Sequence, residues 1–147
     1  MDATSVSLSH VRDDSRRYGS FAYVATAGAD GEPHVAPVAV SWVDDTICAF
    51  VLSSSRKVRN VRQNARATVH FAVGESSAWD SCIVWGDAVV IDTNEGRVAL
   101  WDRMGYDLSR FEPGGPECDN HVFVQITPTR ATILRGMGLA GREIWRA

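Results

Sequence analysis

Apolar residues alternate with polar ones, or run unbroken for a few positions, in one short stretch after another of this chain. The stretches are FAYVATA (21–27), HVAPVAVSWV (34–43), TICAFVLS (46–53), RATVHFAV (66–73), SCIVWGDAVVID (81–92), HVFVQIT (121–127) and RATILRG (130–136). Successive side chains of a strand point to opposite faces, so a period of two predicts strands. Most are separated by short turn signals such as Asp30-Gly31 and Asp44-Asp45, which join neighbours as antiparallel hairpins. Helical spacing is confined to three short segments. Leu8 to Tyr18 is capped by Ser7 or Ser9 and stopped by Gly19. In 53–66, Val58, Val61 and Ala65 share a face behind Ser53, Ser54 and Ser55. Roughly 95–104 starts at Thr93 or Asn94, with Val98, Trp101 and Met104 as its buried side. A doubly wound α/β sheet would need a helix after nearly every strand, and the chain does not supply them. The prediction is a mainly β (α+β) fold, a small, mainly antiparallel barrel with short capping helices, in one domain over residues 1–147.

Composition narrows the function. The 147 residues are 45% hydrophobic and 9% aromatic, enough for a real core. Fifteen basic against eighteen acidic residues give a net charge of -3, which disfavours a nucleic-acid partner. No apolar run reaches the roughly 18 residues of a membrane span, and the first residues lack a secretory core, so the expectation is a cytoplasmic protein with no membrane partner. Cys48, Cys82 and Cys118 form no C-x-x-C pair and read as reduced thiols. His10, His34, His70 and His121 show no spacing that gathers metal ligands, so no metal site is assigned.

One segment departs from this balance. Arg56, Lys57, Arg59, Arg62 and Arg66 fall within eleven positions that hold no carboxylate, and Lys57 is the only lysine beside fourteen arginines. Serine hydroxyls and free N–H groups at a helix start, backed by cations, are what a phosphate requires. The same run also fits a solvated helix face whose arginine stems cover the barrel.

ATAGADGEPHVAPVAVSWVDD, SSSRKVRNVRQNARATVHF and SCIVWGDAVVID, in that order, resemble the split-barrel flavoproteins typified by pyridoxamine 5'-phosphate oxidase and their deazaflavin-using relatives. The resemblance covers residues 20–92 and extends loosely to the final strands. It implies a six-stranded antiparallel split β-barrel that serves as an FMN- or coenzyme F420-dependent oxidoreductase acting on a small organic substrate, with F420 favoured by the R-N-V-R-Q-N-A-R-A run. It implies that Arg56 and Lys57 contact the cofactor phosphate with help from Ser53 and Ser55, and that Pro37, Val38, Ala39 and Val40 border the ring. Asn60 matches a family asparagine that links helix to strand. A homodimer is implied as well, with Trp79 among the cofactor-binding residues, where relatives carry an aromatic before the strand, and with Trp145, near Arg142 and Arg146, reaching over the partner's site from the C-terminal tail. Two alternatives are a carrier or sensor of flavin or haem without turnover, with His70 as an axial candidate, and pyridoxamine 5'-phosphate oxidase itself. The ending LAGREIWRA departs from that enzyme's C-terminal pattern. The cofactor carries the hard chemistry, so no catalytic acid or base is named.

Overall fold

The computed structural model describes residues 2–147. Its strands are β1 (Thr4–Ser5), β2 (Phe21–Ala27), β3 (Pro33–Val43), β4 (Thr46–Leu52), β5 (Arg66–Phe71), β6 (Ser81–Ile91), β7 (His121–Arg135) and β8 (Gly141–Arg146). The helices are α1 (Leu8–Ser15), α2 (Arg56–Gln63) and α3 (Asn94–Trp101). Strand order is β1-β8-β7-β4-β3-β2-β5-β6, and β6 returns to pair with β7. Six antiparallel strands therefore close into a barrel, and β8 with the short parallel β1 extends it beyond β7. Among the described residues no helix is long and apolar enough to cross a membrane.

Alternation determines the packing. Ala22 and Val24 of β2, Val40 of β3, Ala49 of β4, Val69 of β5, Val84 of β6 and Val124 of β7 are all buried in the barrel interior with Phe71 and Ile133. A second apolar cluster lies outside the barrel wall, where Val43, Cys48, Phe123, Leu100, Met104 and Leu108 pack together. Cys48 and Cys82 are fully buried, as small hydrophobes are. Burial pushes the Cys82 thiol up to about 12.

Four sequence expectations are corrected. The stretches 121–127 and 130–136 are one strand, because Pro128, which has no N–H to give, is absorbed at a bulge rather than a turn. The register with β6 passes there from Trp85↔Arg130 to Gly86↔Pro128. The helix behind Ser55 ends at Gln63, so Ala65 is exposed beyond it. In α3 the buried side chains are Arg97 and Leu100, while Val98 is 44% exposed. The Arg97 guanidinium donates to the carbonyls of Asp92, Pro116 and Glu117, and that polar anchoring of the 113–117 loop outweighs valine's hydrophobicity in setting the helix rotation. Trp145 lies on β8, paired with Ala131 and half-buried against the barrel core, and not in a free C-terminal tail.

Candidate functional site

The barrel has a split. β3 pairs with β2 over Pro33–Ala39 but with β4 only over Val40–Val43, so on the β4 side residues 33–39 have no strand partner. A cavity of about 300 Å³ opens in this gap, with Val38, Leu52, Ser55, Lys57, Phe111 and His121 in its lining. Beside it lies an apolar hollow of about 400 Å³ bordered by Phe21, Ala39, Tyr106 and Phe111, so the Phe111 ring stands between the two.

The loop between α3 and β7 builds the far wall. Tyr106 Oη donates to the carbonyl of Ala39 at 2.9 Å, and the Gly105 amide donates to Ser41 Oγ at 2.8 Å. Burial pushes the Tyr106 phenol up to about 12, which keeps it protonated as a donor. Leu108 is buried behind it and Phe111 is presented outward, 56% exposed.

Lys57 and Ser55 are the groups that fit an anion. Ser55 is the N-cap of α2, yet its hydroxyl makes no capping bond, and its Oγ is buried without any hydrogen-bond partner. A buried polar atom without a partner costs roughly 1–3 kcal/mol. Burial pulls the Lys57 ammonium below its usual range, and no carboxylate offsets it. Both defects are repaired by one negatively charged group at the helix start. A cofactor phosphate therefore fits the residues present.

The rest of the basic run sorts itself by partner. Arg62 pairs with Asp92 at 2.7 Å and Arg66 with Asp87 at 3.5 Å, while Arg59 turns back to the Ser54 carbonyl at 2.8 Å. Arg56 is exposed at the same helix start as Lys57. Asn60 is buried and donates to Thr26 Oγ1 at 3.1 Å, tying α2 to β2. Ser53 is committed elsewhere: its amide and its hydroxyl both donate to the Asn120 carbonyl.

Of the residues expected to border the ring, Val38 lines the Lys57 cavity and Ala39 the neighbouring hollow. Pro37 is exposed on the outer sheet face, and Val40 points into the core. Trp79 lies at neither hollow. It sits with Ala78 in left-handed backbone, 50% exposed, and its carbonyl accepts from the Met137 amide at 3.0 Å. His70 borders neither hollow; its Nδ1 lies 2.8 Å from the Phe71 carbonyl. Phe50, Phe111 and His121 also line the Lys57 cavity, and nothing in a lone aromatic or histidine signals from sequence which side of a strand or loop faces a gap.

No curated protein matches the sequence. Among solved structures, a protein from Clostridium acetobutylicum related to general stress protein 26, described as of the pyridoxinephosphate oxidase family, superposes with a TM-score of 0.77 at 13% identity, covering 96% of each chain. A pyridoxamine 5'-phosphate oxidase-related, FMN-binding protein from Nostoc punctiforme gives a TM-score of 0.66 at 16% identity, over 87% of this chain and 82% of that one. An F420 reductase gives 0.56 at 19% identity, over 76% and 87%. Identities this low speak for the barrel alone. The family model described as pyridoxamine 5'-phosphate oxidase, however, matches residues 14–135, from the end of α1 to the end of β7. That span contains the split, α2 and the anion-fitting cavity, and with it the chain belongs to the pyridoxamine 5'-phosphate oxidase family.

Proposed function

We propose that this protein is an oxidoreductase that holds coenzyme F420 or FMN at the split, its phosphate on Lys57 and Ser55, and acts on a small organic substrate. The observation that carries the reading is the pairing of a desolvated, uncompensated ammonium with a buried, unpartnered hydroxyl in one cavity. An FMN-binding protein and an F420 reductase among the structural neighbours support the two cofactor candidates.

When bound, such a cofactor supplies hydride or electron transfer. The chain's own groups do the holding. Lys57 Nζ and Ser55 Oγ bind the anion, and the positive end of α2 and exposed Arg56 add to the local potential. Small outward side chains at Pro37 and Ala39 let a flat ring approach β3, whose free edge offers main-chain groups. Tyr106 occupies the Ala39 carbonyl, and Phe111 lines both hollows.

A second copy of the chain completes the pocket in this reading. Phe21↔Ala39, Tyr23↔Pro37 and Ala25↔Val35 are register pairs on the outer face, where Phe21 is 64%, Tyr23 49% and Val35 63% exposed. A contiguous apolar sheet face of this kind is an interface in waiting.

The test is a titration of purified protein with FMN, F420 and haem, followed by fluorescence quenching or visible absorption, in wild type and Lys57→Ala. A charge-assisted phosphate contact contributes about 1.5–3 kcal/mol, so Lys57→Ala is expected to weaken cofactor binding by roughly 10- to 100-fold with the melting temperature little changed. Unchanged affinity in the variant would remove the site assignment. Tight binding with no oxidation or reduction of any offered quinone or nitroaromatic would make the protein a carrier instead of an enzyme.

A further inference from the structure

We infer that His121 is a proton-dependent ligand of the same anion, so that phosphate binding at Lys57 takes a proton from solvent onto His121 Nε2. The inference rests on the phosphate reading above and adds a residue and a linkage to it.

His121 pairs with Leu52 across β7 and β4 and lines the Lys57 cavity. Its Nδ1 lies 3.2 Å from Glu112 Oε1, and the two side chains are only 14% and 10% exposed. The Glu112 carboxyl is held below its usual range, first by a hydrogen bond from the Cys118 thiol and then by His121. An ionised carboxylate only accepts, so Nδ1 carries the hydrogen and Nε2 is left with either a lone pair or a second proton. The imidazole is stacked on Phe50, with ring centroids 4.7 Å apart and planes at 11°, which fixes the direction in which Nε2 points. Among the described residues, Nε2 hydrogen-bonds to no protein group.

The charges around the ring set the sign of the linkage. The 102–120 loop contributes Glu112 and, through it, Cys118, with Asp119 acting on that thiol; α2 contributes Lys57; β4 contributes the apolar Phe50 and Leu52; α3 contributes Trp101 on Phe50 and Arg97, whose guanidinium holds the Pro116 and Glu117 carbonyls of the loop. Lys57 and His121 line one cavity, and an anion seated between them favours a second proton on the imidazole. One proton moves from solvent to Nε2 and no covalent bond is made or broken.

The experiment is calorimetric titration of FMN and of F420 into wild type, His121→Gln and Glu112→Gln, in buffers of different ionisation enthalpy between pH 6 and 8. Wild type is expected to take up protons on binding and to bind more tightly as pH falls, by about tenfold per unit shift of the imidazole pKa. His121→Gln keeps a neutral donor and loses that increment, so the difference between the two also removes the cofactor phosphate's own titration. Glu112→Gln moves the transition to lower pH. Independently of any variant's folding, the imidazole ¹⁵N titration of His121 in wild type shifts upward when cofactor saturates the protein. Equal proton uptake in wild type and His121→Gln, or an imidazole titration unmoved by cofactor, overturns this inference and leaves the phosphate site standing. Failure of both cofactors to bind at any pH overturns the functional reading and this inference with it.

Discussion

Arg135→Ala is expected to destabilise the protein by about 3 kcal/mol, the low end of the range for removing one partner of a buried ion pair. In a chain of this size that lowers the melting temperature by on the order of 10 °C. Arg135 Nη1 bonds Asp14 at 2.7 Å and Asp80 at 3.0 Å, and the rest of the guanidinium is engaged with Glu143. It therefore ties α1, the start of β6 and β8 to the end of β7. Asp14 and Asp80 are 7% and 12% exposed, so without the arginine they are two carboxylates in a poorly solvated place. Arg17 also reaches both, which is why the low end of the range applies. The network sets an acid limit too. Arg135 first, and His10 further, hold Glu143 below the usual carboxylate range. For Asp80, burial works upward, but the Gly136 amide and the two guanidiniums outweigh it and leave the pKa lowered. Groups with folded pKa values below their unfolded ones contribute stability that is present at neutral pH and lost as pH falls through the folded values. Denaturant unfolding at pH 7 and pH 4 is expected to show a steeper acid loss in wild type than in Arg135→Ala. A loss under about 0.5 kcal/mol at pH 7, or equal acid slopes, would contradict this assignment.

Gly86→Ala is expected to cost about 3 kcal/mol, the upper end of the range for overpacking. A Cβ at this position would stand 2.3 Å from the Thr127 carbonyl oxygen and 2.8 Å from Ile126 Cγ2. The first obstacle is backbone, so β6 and β7 must part where the barrel closes. Urea unfolding reads the stability, and amide exchange of residues 84–90 and 124–131 is expected to quicken locally. A variant within 0.5 kcal/mol of wild type would mean that the bulge opens without strain.

Sequence pattern reveals the strands that close the barrel, because each has one face in the interior and therefore alternates. It fails where burial does not set the pattern. Thr127-Pro128-Thr129 reads as a turn, yet the opposing Gly86 leaves room for a bulge, and one long strand results. β8 is a mixed ribbon, GREIWR, recruited by pairing to β7, and β1 is two residues long. At the site, Lys57 and Ser55 were visible because a cation run without carboxylates is unusual in an acidic chain. Which cations stay free was not visible, since Asp87 and Asp92, which neutralise Arg66 and Arg62, arrive from β6 and its end through the fold. The resemblance places Ser53 with Ser55 on the phosphate, but at the end of β4 its hydroxyl is committed to the Asn120 carbonyl. His121 and Glu112 meet only because the 102–120 loop folds back along β7.

The claim on which the functional reading stands is that an anionic cofactor tail is seated at the start of α2 with its ring along β3. A crystal structure of the protein loaded with FMN or F420 tests it most directly. The predicted result is two paired chains, with phosphate oxygens about 3 Å from Lys57 Nζ and Ser55 Oγ and the ring lying against Val38 and Ala39. A cofactor bound elsewhere, with Lys57 turned into bulk solvent and no cavity between paired chains, would contradict it.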